Sequence, residues 1–323
     1  MPVFNGAKFL PTAFASLAQQ SFKNFEVIVI DDGSADESAI VAEHLIKTYG
    51  LQGTVVRTPN QGAQLARNMA FDRATADILA ALDCDDRWHP TYLECMLGIL
   101  DMFPEVAMAY CDMRLEYEDG TADLKSSRSG WIDLSKAQKH DEVYVFTPPQ
   151  FFRFLLSGIV TLPSCTVFRK TLYKNAGPVP TVLLDLPNAL DWCFSLRASR
   201  IATVAFMNQP LVHHPIYAGS TSGDLVKLTH CNIRVIRWIL KDGKLDKAER
   251  ATAKEKGAPL CRWACDAVLR EQRKNWDAAT WAIRSLIFRL NWPAVRMLAL
   301  CAVPRVVVDY LRRHGRDGEE RFL

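Results

Sequence analysis

A chain of 323 residues, 49% hydrophobic and 23% charged, can bury one large core or two modest ones, which excludes an intrinsically disordered protein. Its net charge of +3 is too small to point to nucleic acid as a partner. The nine cysteines include no C-x-x-C pair, and nothing near Cys261 and Cys265 completes a zinc set, so free buried thiols in a reducing compartment are expected. The opening M-P-V-F-N-G has no basic segment followed by an apolar run, and no stretch offers 18 uncharged apolar residues, so a cytoplasmic protein without a spanning helix is expected.

In chain order, Leu10, Phe14, Leu17 and Ala18 fall at helical spacing within 9–20. Residues 25–30 form a β-branched run that stops in D-D-G-S, a buried strand entering a turn. Ser34 and Glu37 have the spacing of a capping box for a helix over about 36–49. A short strand at 54–57 precedes the turn Asn60-Gln61-Gly62, and a helix carrying Leu65, Met69 and Ala70 follows. The apolar run 78–82 is a further strand, succeeded by a helix over about 90–102 and a strand at 106–111. The polar stretch 114–145 reads as a variable insertion or hairpin. Beyond it come a helix at 151–159, a strand at 165–168, a helix stop at Asn175-Ala-Gly-Pro, a helix over 188–199 and a strand at 202–207. Alternation of strands and helices predicts a parallel, doubly wound α/β sheet. After about residue 224 the pattern is helical and basic, which places domains at 1–222 and 223–323.

The chemistry concentrates where the strand at 78–82 ends. Asp83, Asp85 and Asp86 fall within four positions, and in open α/β sheets ligands bind at the carboxyl ends of strands. Clustered carboxylates repel unless protons or a cation neutralise them, and oxygen ligands suit Mg²⁺ or Mn²⁺ held together with substrate phosphates. The alternative is a solvated turn or helix cap.

Four motifs in order carry a resemblance: P-V-F-N-G at 2–6, F-E-V-I-V-I-D-D-G-S at 25–34, N-Q-G-A-Q-L-A-R-N at 60–68 and L-D-C-D-D at 82–86. The chain resembles the family 2 glycosyltransferases over residues 2 to about 222. The resemblance implies the GT-A fold, an α/β doubly wound, mostly parallel sheet of the nucleotide-diphospho-sugar transferase kind, here with a C-terminal helical extension. It implies an inverting transferase that moves a sugar from a nucleoside diphosphate, UDP favoured, to an acceptor hydroxyl on a glycan, lipid-linked or other acceptor, in surface polysaccharide or glycan assembly. A non-catalytic nucleotide-sugar-binding or scaffold protein of the same fold is the alternative.

By that resemblance Pro2, Phe4 and Asn5 border the base, with the Phe4 ring offered for stacking or else anchoring the following helix. Asp32 matches the carboxylate that accepts from the base, or else caps a helix. Asn60, Gly62 and Arg67 match the segment lining the nucleotide, Arg67 facing phosphate or forming an internal ion pair. Asp83 would face ribose or metal, and Asp85 would bind the Mg²⁺ or Mn²⁺ bridging the phosphates. S-C-T-V-F-R-K at 164–170 resembles the segment upstream of an acid pair, of which only Asp191 is kept, as general base or as a helix-end acid; Leu190 replaces the other. Tyr217 stands near the position of a metal-shell histidine, with His213 and His214 as substitutes or as strand-edge residues. The family also places an apolar strand directly before P-V-F-N, where this sequence has Met1 alone, so the first strand is expected to be missing or truncated. The arginine-flanked stretch 292–313 is either an interfacial segment for peripheral attachment to the inner face of an anionic membrane or a packed helix.

Overall fold

The computed structural model describes residues 1–125, 133–157, 162–177, 190–217, 225–241 and 245–267, with isolated residues 183, 186, 285, 293, 294 and 297. The chain divides into two compact units, Met1–Ala218 and Gly219–Leu323.

In the first unit, β1 (Pro2–Val3), α1 (Leu10–Ala18), β2 (Glu26–Asp31), α2 (Ser38–Thr48), β3 (Gln52–Arg57) and α3 (Ala63–Arg73) alternate as the sequence predicts. β1, β2 and β3 form a three-stranded sheet in that order, parallel throughout. Side chains alternate across β2. Val27 and Val29 join Phe14, Leu17, Ala42 and Leu45 in one core, whereas Ile30 joins Ala66 and Ala70 of α3 in another. Helices therefore cover both faces, as a parallel sheet requires.

β4 (Ile78–Ala80), β5 (Arg87–Trp88), α4 (Tyr92–Met102), β6 (Val106–Tyr117), β7 (Ala122–Leu124), β8 (Gln138–His140), β9 (Val143–Phe146), α5 (Pro148–Ser157), β10 (Thr166–Arg169), α6 (Lys170–Ala176), α7 (Leu190–Ile201) and β11 (Thr203–Ile216) complete the unit. The second sheet runs β4-β10-β6-β11-β9-β8, with β5 paired to β11 and β7 to β6. Its longest pairing, β6 with β11, is parallel, and the others are antiparallel. The polar stretch after 114 holds the β6–β7 and β8–β9 hairpins. α6 stops at Gly177, whose φ of 72° and ψ of 177° form a conformation open to glycine because it lacks a Cβ.

Three local expectations change. Ser34 and Glu37 form no capping box: Glu37 stands at the N-cap of α2 without a side-chain cap, and the Ser34 hydroxyl accepts from the Asn5 backbone instead. β11 continues through P-L-V-H-H-P-I to Ile216, because register shifts at Met207/Pro210 and Pro210/Val212 let the strand pass Pro210. The first strand is present as the two-residue β1. Pro2 and Val3 pair with Ile30 and Asp31, and the Met1 nitrogen donates to the Ile28 carbonyl at 2.8 Å.

The second unit contains α8 (Leu225–Lys241) and α9 (Lys247–Ala267), packed on each other with Cys231, Ile236 and Ile239 of α8 buried. No described helix is long and apolar enough to cross a membrane. The basic stretch 292–313 lies outside the described residues apart from isolated positions.

Candidate functional site

The site is assembled at the carboxyl ends of β1, β2 and β4. Asn5, just after β1, takes φ 49°, unusual for a residue with a Cβ. Two bonds hold it there: its backbone N–H donates to Ser34 Oγ at 2.9 Å, and its Oδ1 accepts from the Ala35 N–H at 2.8 Å. Next to it the Phe4 ring is 52% exposed, so it is no core anchor. Pro2 is buried within β1.

β2 delivers two carboxylates with different tasks. Asp31 is fully buried and accepts from the Ser34 N–H at 3.1 Å, with Arg57 Nε 3.1 Å from its other oxygen, a structural role. Asp32 accepts from the Gln61 N–H at 2.9 Å and the Gly62 N–H at 2.7 Å. It thereby fastens the turn holding Asn60 and Gly62 to the strand end. Two carboxylate oxygens offer about four lone-pair sites, so capacity remains for a further donor. Gly62 has φ 95°, which a Cβ would strain, as it leads into α3. The Asn60 side chain is exposed.

One turn into α3, Arg67 reaches Asp83 through Nε at 3.1 Å and through Nη2 at 2.7 Å and 2.9 Å. The ion pair that the sequence left as one alternative for Arg67 is thus formed, with the side chains only 14% and 25% exposed. Asp83 is neutralised by it. Asp86 is buried: it accepts from Ser164 Oγ, and its other oxygen is 2.6 Å from His214 Nδ1. Ser164 Oγ in turn accepts from the Asp83 N–H at 3.0 Å, and Trp88 Nε1 donates to the Ser164 carbonyl at 2.8 Å. The turn after β4 is therefore bolted to the segment entering β10.

Asp85 is treated differently. It accepts from the Tyr217 hydroxyl at 3.0 Å, and among the described residues no ion pair reaches it. Burial, then the neighbouring Asp86 and Asp83 charges, push its pKa from 3.8 up to about 6. The same surroundings push the Cys84 thiol up, burial foremost. Half-buried, with an uncompensated tendency to shed charge, Asp85 has the chemistry of a carboxylate that a divalent cation would relieve. Each histidine has its Nδ1 on a carboxylate: His213 Nδ1 is 2.8 Å from Glu116 Oε1, which also takes Arg87, and His214 Nδ1 is 2.6 Å from Asp86 Oδ1. Burial alone would lower the His214 pKa, but the Asp86 carboxylate holds it above the ordinary value. Among the described residues no three His, Cys, Asp or Glu side chains form a complete metal cage. The donor set at Asp85 fits a cation whose remaining ligands are water and phosphate oxygens, the usual habit of Mg²⁺.

Asp191 opens α7, whose position is fixed by its neighbour: Trp192 is fully buried, and its Nε1 donates to the Leu155 carbonyl at 2.9 Å. Asp191 and Arg67 line one cleft of about 530 Å³ together with Asn68, Phe71, Tyr173 and Phe194. Burial raises the Asp191 pKa, opposed chiefly by Arg67. Leu190 leaves that stretch without a second acid. The structure thus brings Asp83, Asp85, Arg67 and Asp191 to one region, and ties Phe4–Asn5 to Asp32 through the 31–35 turn. The roles of Tyr217 on Asp85 and of Ser164 behind Asp83 were not legible in sequence, because each partner lies 81 or more residues away.

Comparison with known proteins identifies the family and the fold. The family model described as glycosyl transferase family 2 matches residues 1–176. The putative glycosyltransferase EpsH of Bacillus subtilis is 28% identical over 221 residues, covering 68% of this chain and 60% of that protein. This chain thus spans less than two thirds of that relative's length. Among solved structures, the Staphylococcus aureus protein TarS, residues 1–349 in complex with UDP-GlcNAc, superposes with a TM-score of 0.64 at 18% identity, covering 89% of this chain and 78% of that one. The mannosyltransferase PcManGT of Pyrobaculum calidifontis, in complex with GDP-Man and Mn²⁺, gives a TM-score of 0.58 at 18% identity, covering 93% and 77%. At these identities the structural likeness establishes the fold, which is GT-A.

Proposed function

The chain belongs to glycosyl transferase family 2, and from that premise we propose that it transfers a sugar from a nucleoside diphosphate donor, UDP favoured, to an acceptor hydroxyl with inversion. The observation that carries the reading is Asp85, a half-buried carboxylate with a raised pKa that waits for positive charge beside an Arg-neutralised Asp83. A nucleoside diphosphate arriving with a divalent cation brings that charge. The UDP-GlcNAc and GDP-Man complexes of proteins with this fold support a nucleotide-sugar donor.

In this reading the exposed Phe4 ring stacks on the base, worth roughly 1–3 kcal/mol, and Asp32 accepts from the base edge. The 60–62 turn, held by Asp32, lines the nucleotide. Arg67 fixes Asp83 toward the ribose. Asp85 would hold Mg²⁺ or Mn²⁺ with the diphosphate, and the cation, when bound, offsets charge on the departing diphosphate. Asp191 takes the proton from the acceptor hydroxyl as it attacks the anomeric carbon on the face opposite the leaving group. Its burial, which raises its proton affinity, suits a general base. The acceptor belongs to surface polysaccharide or another glycan, at the cytoplasmic face of a membrane.

Two observations favour the rival reading of a nucleotide-sugar-binding protein without transfer: Leu190 stands where the family has an acid, and the Tyr217 hydroxyl already donates to one Asp85 oxygen. Melting scans with UDP and Mn²⁺ test what both readings share. At 100 times the dissociation constant binding adds about 2.7 kcal/mol, and Asp85→Ala should abolish that gain while keeping the fold. A variant with an undiminished UDP shift would remove Asp85 from the site.

A further inference from the structure

Three basic side chains around the turn after β4 are committed to carboxylates. Arg67 holds Asp83, His214 holds Asp86 and Arg87 holds Glu116. Lys8 is placed differently. It is exposed, and among the described residues no ion pair reaches it. Its Nζ lies 4.6 Å from the centroid of the Phe9 ring and 5.8 Å from that of Tyr217. The two rings lean on each other, with centroids 5.1 Å apart and planes at 35°. Tyr217 is also the residue whose hydroxyl donates to Asp85 at 3.0 Å. A continuous series of contacts thus runs from the Lys8 ammonium over two rings to Asp85. It joins the segment after β1, the end of β11 and the turn after β4.

The backbone beneath Lys8 is fixed. The N–H groups of Asn5, Gly6 and Ala7 donate to Ser34 Oγ, Ser38 Oγ and Asp36 Oδ2 at 2.9, 2.9 and 3.1 Å. The Phe9 N–H closes a turn onto the Gly6 carbonyl at 2.9 Å. Gly6 lies against the residue between Asp83 and Asp85: a Cβ on it would stand 2.9 Å from the Cys84 sulfur. Lys8 is therefore carried by a segment packed on the acidic turn itself. An aromatic face attracts an ammonium without cancelling its charge, as a carboxylate would.

That charge has a use at this place. Arg67 is offset by Asp83, and Asp85 offsets part of the charge of any divalent cation it holds. The diphosphate of a nucleotide sugar carries a negative charge on each phosphate. It gains another when its bond to the anomeric carbon breaks and the electron pair passes to the phosphate oxygen. Fixed positive groups aimed at such developing charge lower the barrier. On the premise of glycosyl transfer, we propose that Lys8, carried on the Phe9 and Tyr217 rings, is a further donor-binding residue: its ammonium pairs with the diphosphate of the nucleotide sugar and stabilises the charge that grows there as the sugar leaves.

Calorimetric titration of the full chain in Mn²⁺ tests this without any transfer. UDP, GDP and dTDP are titrated into wild type, and the tightest is carried forward with its parent nucleoside into Lys8→Met and Lys8→Arg. The exposed position lets both variants fold, which the thermal midpoint checks. Lys8→Met should leave the nucleoside affinity in place and weaken the diphosphate by at least roughly tenfold, the worth of a hydrogen bond to a charged group. Lys8→Arg should recover most of that loss, and the dependence of diphosphate affinity on salt should be shallower in Lys8→Met than in wild type. An undiminished preference for diphosphate over nucleoside in Lys8→Met would overturn the proposal and leave the glycosyltransfer reading standing. An equal loss for both ligands would make Lys8 a structural residue and overturn it as well. A wild type that binds none of the three diphosphates would bring down the glycosyltransfer reading and this proposal with it.

Discussion

Replacing Asp85 by Asn should stabilise the protein in the absence of metal. The amide keeps nearly the shape of the carboxylate, and its oxygen can still accept from Tyr217. What it removes is a charge the fold disfavours. The folded pKa of about 6 lies above the ordinary 3.8, burial being the main cause. Between those values the native state binds more protons than the unfolded one, so stability falls as pH rises through the interval and levels off above about 6. At about 1.4 kcal/mol per pH unit the gap corresponds to at most about 3 kcal/mol at pH 7. Part of that is shared with Asp86 and Asp83, which crowd the same site. In EDTA, urea unfolding from pH 3.5 to 8 should show Asp85→Asn more stable than wild type by about 1–3 kcal/mol above pH 6, converging below pH 4. Adding Mn²⁺ and UDP should reverse the order, because only the carboxylate gains a cation. A variant less stable than wild type at pH 7 without metal, or a difference independent of pH, would refute the account of Asp85.

Asp191→Asn should keep donor affinity in a UDP titration while transfer falls by about two to four orders of magnitude; the wild-type acidic limb should lie above the ordinary carboxylate range, since burial raises this group, and the variant should lose it. Arg67→Met strands a carboxylate that is only 25% exposed and should cost about 3 kcal/mol in denaturant unfolding; the double variant with Asp83→Asn should recover most of it, and a double variant no better than the single would contradict the pairing. Asp86→Asn should loosen the bolt between His214 and Ser164 and speed amide exchange at Asp83, whose N–H donates to Ser164. Flotation with anionic vesicles should carry the full chain and leave behind a chain ending at residue 291, if 292–313 is interfacial; equal partition would leave that stretch a packed helix.

Local signals were readable in sequence because they depend on neighbours along the chain. The valines and isoleucines of β2 and the helical spacing of Leu10, Phe14 and Leu17 report burial at one or two fixed periods. Asp83 and Asp85 stood out as acids after an apolar run, whereas Asp191 was marked only by the family resemblance. Pairing across long separations has no such period. Nothing near His214 announces Asp86, 128 residues earlier, and nothing near Arg87 announces Glu116 and His213. β11 was read too short because Pro210 and Pro215 signal strand ends, whereas bulges and the long parallel partner β6 carry the strand past them. Ser34 and Glu37 matched a capping box by spacing, yet the Asn5 N–H, arriving from β1, claims the Ser34 hydroxyl.

We propose that this constellation transfers sugar from a nucleotide donor, with Asp191 taking the acceptor proton. Incubating the full chain, with Mn²⁺, against a panel of UDP-, GDP- and dTDP-sugars and measuring nucleoside diphosphate release in wild type and Asp191→Asn tests it most directly. The account predicts release from at least one donor, UDP-linked first, with the rate falling about two to four orders of magnitude in the variant. Tight UDP binding without release from any donor, or release that the variant leaves unchanged, would contradict it.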